Sequence, residues 1–115
     1  MGDLGDETSA APSARVGGHT SKAERRAARQ AVGRYHEEEL GKLLERVRDG
    51  FARYDAGEID AFDLDELIHQ YKRAAQKLWS FCTGSAERVA GVLAWMREQG
   101  DEPDWWTAGE PHRRS

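Results

Sequence analysis

The sequence predicts an all-α fold: an antiparallel helical hairpin with a short third helix, a disordered N-terminal segment and a C-terminal tail. Three observations carry that prediction. Apolar residues recur at spacings of three and four through residues 40–82, the period of one helix face. Turn and cap residues interrupt the pattern near 55–60 and again at 83–85. The composition, 38% hydrophobic and 33% charged, suits a modest core with polar ends.

The first run is Leu40, Leu44, Val47, Phe51 and Tyr54; the second is Leu64, Ile68, Tyr71, Ala75, Leu78 and Cys82. Their spacing is that of a seam between helices. Leu43, Leu67, Ala74 and Phe81 lie beside these rows and widen each stripe, as expected of helices with more than one neighbour. Gly57 can take the positive φ that ends the first helix. Asp60 and Asp63 then form a capping-box pair that opens the second, with Ile59 and Leu64 placed as a hydrophobic staple. So short a connection makes the two helices antiparallel neighbours. About a dozen apolar side chains on two helices do not offset the ordering cost alone, so a third helix, a partner chain or both is expected.

Residues 1–20 are rich in Gly, Ser, Ala and Thr and are expected to be disordered. Ser21 and Glu24 spell a capping box, so the first helix is expected over about 22–55, with its packed part beginning near Arg34, after Gly33. The second is expected over about 61–82. Gly84 and Ser85 punctuate the chain before a third helix over about 86–99, with Val89, Val92, Leu93 and Met96 on its apolar face. The alternative is one long helix running through Gly84, whose exposed stripe a dimer would have to cover. Residues 21–100 thus form the helical domain and 101–115 a tail that carries Trp105 and Trp106.

Several function classes recede on composition. No apolar run approaches a membrane span, and Met1 to Pro12 lacks the pattern of a secretory signal. With one cysteine no internal disulfide can form, and a cytoplasmic location is expected. The net charge of -4 argues against the whole chain being a nucleic-acid binder.

Four groups of residues could carry function. Trp105 and Trp106 either fold back onto the helices or anchor the tail in a partner's groove, tryptophan being favoured at binding hot spots. Lys22, Arg25, Arg26 and Arg29 form a basic stripe that could follow a phosphate backbone; the alternative is a solvated helical extension. Glu66 and His69 are spaced like a Glu-x-x-His metal step, which His36 and Glu37 to Glu39 could complete at an oligomer interface. The pair falls off the seam, however, and a surface pair is the commoner outcome. Cys82 ends the second apolar row and reads as a buried thiol with no fixed His partner. The acidic turn imitates a calcium loop, but neither register supplies the carboxylates that calcium needs.

No cofactor and no enzymatic activity are expected. The favoured function is a non-catalytic helical protein–protein interaction module that self-associates as a homodimer and contacts a second protein. A nucleic-acid-associated accessory protein is the first alternative, and the interfacial carboxylate and histidine metal site the second.

Overall fold

A computed structural model describes residues 21–111. The expected disordered segment 1–20 and the tail residues 112–115 lie outside the described residues. The fold is all-α, with helices α1 (Lys22–Asp55), α2 (Ala61–Cys82), α3 (Ala86–Gln99) and α4 (Trp105–Ala108) and no strand among the described residues.

Local hydrogen bonding explains where the helices begin. The Ser21 Oγ accepts from the Glu24 amide at 3.0 Å, and the Glu24 carboxylate accepts from the Ser21 amide at 2.8 Å. Asp60 and Asp63 repeat that exchange at 2.8 and 3.2 Å, so an Asp closes the box as well as Glu or Gln does. The Ser85 hydroxyl oxygen accepts from the Arg88 amide at 3.3 Å and opens α3. Asp104 opens the short α4 in the same way, accepting from the amides of Trp106 and Thr107.

The ends are equally local. Gly57 sits at φ 78 and Gly100 at φ 66, conformations that a Cβ makes costly. Past Cys82 the backbone turns extended at Thr83, so α2 and α3 are separate helices rather than one. The alternative of a continuous helix through Gly84 is therefore overturned.

Packing begins where side chains let backbones approach. A Cβ at Gly50 would lie 2.8 Å from Leu67 Cδ1 and 3.2 Å from Leu64 Cδ1, so α1 and α2 come close near the acidic turn. Farther along, the Tyr35 ring on α1 meets the Phe81 ring on α2 edge-on at 6.1 Å. Val32, Tyr35, Leu43, Ala74, Leu78, Val89 and Leu93 form the buried cluster, to which α1, α2 and α3 all contribute. Leu78 and Val89 are its largest fully buried side chains, each worth roughly 1.5–3 kcal/mol relative to exposure.

Two expectations need correction here. Val32 is already in the core, so packing begins before Arg34. The cause is α3, which lies along α1 and brings Arg97 to 6.0 Å from the Tyr35 ring. Second, the buried row of α1 is not Leu40, Leu44, Val47, Phe51 and Tyr54. Val32, Tyr35, Glu39, Leu43 and Gly50 are buried instead, and Leu44, Phe51 and Tyr54 are exposed. The contact is rotated because Gly50 allows the close approach to α2 and because α3 and the tail cover the Tyr35 side of the same helix. Tyr54, expected in the seam, is thereby left outside.

Candidate functional site

The tail is bound to the helices by polar contacts at each of its turns. The Trp105 indole N–H donates to the Tyr35 hydroxyl at 2.8 Å, and its ring lies 5.4 Å from that of Phe81. Arg46 places its guanidinium 5.3 Å from the Trp106 ring. From α2, Gln70 donates to the Trp106 carbonyl at 2.9 Å and Arg73 Nε to the Gly109 carbonyl at 2.7 Å. Gly109 is buried against Ala74, close enough that a Cβ there would meet three atoms at 2.7 Å. Both indoles are half-buried, and a partner's groove would have to compete with these contacts.

Glu39 is the one charged residue among the described residues that is buried; its carboxylate bonds Lys42 Nζ at 2.8 Å. That hydrogen bond holds the Lys42 ammonium above its ordinary pKa. Burial raises the Tyr35 phenol, opposed by the bond from Trp105 and supported by the negative charge of Glu39. The hydroxyl of Thr107 lowers Asp104, in keeping with its capping role. A cleft of about 310 Å³ runs between Glu39, Lys42, Arg46, Glu102 and the two indoles. Nothing in the sequence pattern marks this cleft, because it exists only once the tail has docked.

The opposite side of the α1–α2 pair is open. Tyr35 and Arg46 on α1, with Gln70, Arg73 and Phe81 on α2, face α3 or the tail. Helical spacing then puts Leu40, Leu44, Val47, Phe51 and Tyr54 on the other side, beside Ile68, Ala75 and Trp79 of α2. Leu44 is 48% exposed, Phe51 47% and Trp79 59%, while Leu40, Val47, Ile68 and Ala75 are half-buried. An apolar surface two helices wide results. Its sequence signal was the first apolar row, of which Leu44, Phe51 and Tyr54 stay exposed, whereas Leu64 and Leu78 of the second row are buried.

The remaining candidates stay apart. Lys22, Arg25, Arg26 and Arg29 are all exposed on the first two turns of α1. Glu66 borders a second, separate cleft lined by Gln70, Trp106 and Pro111, whereas the His69 ring turns to the Asp65 carbonyl at 2.8 Å and its carboxylate at 3.5 Å. The two do not converge, and no group of three His, Cys, Asp or Glu side chains placed to hold a metal occurs among the described residues. Cys82 is half-buried, and burial pushes its thiol up. No helix among the described residues is long and apolar enough to cross a membrane.

No family model, curated protein or solved structure matches the chain. The functional reading therefore rests on the chemistry of these surfaces.

Proposed function

We propose that this chain is a non-catalytic helical protein–protein interaction module, in which an antiparallel α1–α2 hairpin presents an apolar face to a partner. The single observation that supports this most is the open surface around Leu44, Phe51, Tyr54 and Trp79. Large apolar side chains gathered on one face of a small domain are the usual mark of a contact surface, whereas apolar residues scattered singly are not. The hairpin reading is supported by Gly50 lying against Leu64 and Leu67 while Tyr35 meets Phe81, an order that reverses between the two helices.

Within this reading α3 and the tail form a brace. They bury the Tyr35 side of the pair and leave the other side free for a partner. Trp105 and Trp106 then act by holding the brace in place. The candidate chemical groups serve structure in the same way: His69 is engaged with Asp65, and the raised thiol of Cys82 is a weak nucleophile at neutral pH.

A photo-crosslinking residue at Phe51 in the full chain, irradiated in the cells that naturally express it, tests the reading. A discrete covalent adduct is expected, lost when Leu44→Asp is added and absent when the crosslinker stands at Gln99, an exposed residue of α3. Failure to form an adduct above the Gln99 level refutes the proposal.

A further inference from the structure

The geometry points to a second copy of this chain as the occupant of the open face, two α1–α2 layers closing face to face as a two-fold four-helix bundle. This inference rests on the interaction-module reading and names its partner.

The pattern of apolar residues is the first ground. Leu40, Leu44, Val47, Phe51 and Tyr54 keep the alternating four and three spacing by which side chains of one helix enter the gaps of another. Leu44, Phe51 and Tyr54 of that row stay exposed, while Leu40 packs against the edge of the buried cluster. Ile68, Ala75 and Trp79 extend the surface across α2 at helical spacing. A two-helix layer with an apolar stripe on each helix is half of a four-helix bundle.

Charge is the second ground. On the outer flank of α1, Glu45 and Arg48 are exposed one turn apart and joined at 3.0 Å. On the outer flank of α2, Asp65 and Lys72 are exposed two turns apart. Each flank therefore carries charges of both signs. A strongly acidic or strongly basic partner meets repulsion on both flanks, while a copy of the same chain related by a two-fold axis meets charges that can pair.

Area is the third. At 1.5 Å per residue the row from Leu40 to Tyr54 runs about 21 Å, and two helices side by side are about 20 Å across. Each copy thus offers about 400 Å² before side-chain relief is counted. The pair lies at the small end of specific interfaces, where association is weak and reversible.

The test is solution mass by light scattering on the full chain, from about 5 to 500 μM. The mass is expected to rise from one chain of 12.9 kDa toward twice that value. Leu44→Asp, placing a carboxylate in the apolar contact of both copies, weakens association by at least about 100-fold and stays monomeric throughout. Arg48→Glu, at a solvent-facing position that no core contact needs, keeps the fold intact and weakens the dimer by about 5-fold or more. Trp95→Glu, exposed on α3, leaves the dimer unchanged. Trimers, open-ended growth or a dimer indifferent to both Leu44→Asp and Arg48→Glu overturn the inference. A monomer at every concentration also overturns it, and the Phe51 crosslink then separates two cases. An adduct with a different protein leaves the interaction reading standing, whereas no adduct removes both.

Discussion

Replacing Gly109 by alanine pits two effects of opposite sign against each other. Gly109 sits at φ -87 and ψ 0, a backbone conformation open to alanine. By unfolded-state entropy alone, Gly109→Ala would stabilise the protein by about 0.4–1 kcal/mol. The structure opposes this. The new methyl would lie 2.7 Å from the Ala74 amide nitrogen, from the Ala74 Cβ and from the Gln70 carbonyl oxygen. Two of the three are backbone atoms of α2, which no rotamer change can move aside.

Overpacking of this kind costs about 1–3 kcal/mol, so a net destabilisation of about 1–2 kcal/mol is expected. The cheapest relief is for the tail to lift from α2. That lift breaks the Arg73 bond to the Gly109 carbonyl and the Gln70 bond to the Trp106 carbonyl. Urea unfolding followed by helical circular dichroism gives the stability, and tryptophan emission reports the environment of Trp105 and Trp106. A lower midpoint with red-shifted native emission is the expected result. A variant as stable as the parent, or more so, with unchanged emission would refute the argument that Gly109 is required by tight docking.

Two further predictions concern the tail contact and the basic stripe. Tyr35→Phe removes the acceptor of the Trp105 indole N–H and is expected to cost about 1–2 kcal/mol, part of it from the donor left without a partner. Because burial raises the Tyr35 pKa in the fold, the unfolded chain ionises first as pH rises. The associated stability is full below pH about 10 and falls as pH climbs through the folded value, so the parent should lose stability at alkaline pH more steeply than Tyr35→Phe. Equal slopes in urea titrations across that range would count against it. The nucleic-acid alternative is carried by the exposure of Lys22, Arg25, Arg26 and Arg29. It predicts salt-dependent binding that disappears when Arg25, Arg26 and Arg29 become Ala, and undetectable binding to duplex and single-stranded nucleic acid at low salt would end it.

The helix starts were legible because they depend on residues within one turn. Ser21 with Glu24, and Asp60 with Asp63, exchange hydrogen bonds that need no tertiary contact, and Ser85 caps α3 equally locally. Gly57 and Gly100 mark ends for the same reason, as positive φ is a property of the single residue. The all-α class follows from such signals, together with apolar spacing.

Which stripe of α1 is buried was decided by the tertiary structure. In sequence the row from Leu40 to Tyr54 is the more apolar, and periodicity assigns it to the seam. Helical spacing reports that a face is apolar but not what will cover it. The choice falls to Gly50, whose missing side chain admits Leu64 and Leu67, and to α3 and the tail, which cover Tyr35. The tail itself shows the same division. No helix was expected in the tail, although the Asp104 cap of α4 is local, and the docking of Trp105 on Tyr35 and of Gly109 on Ala74 joins residues far apart in the chain. Such contacts depend on where α2 lies after the acidic turn, and no local pattern encodes that position. The apolar rows were therefore set by the amino-acid order, and the packing of everything else decided that Leu64 and Leu78 are buried while Leu44, Phe51 and Tyr54 stay open.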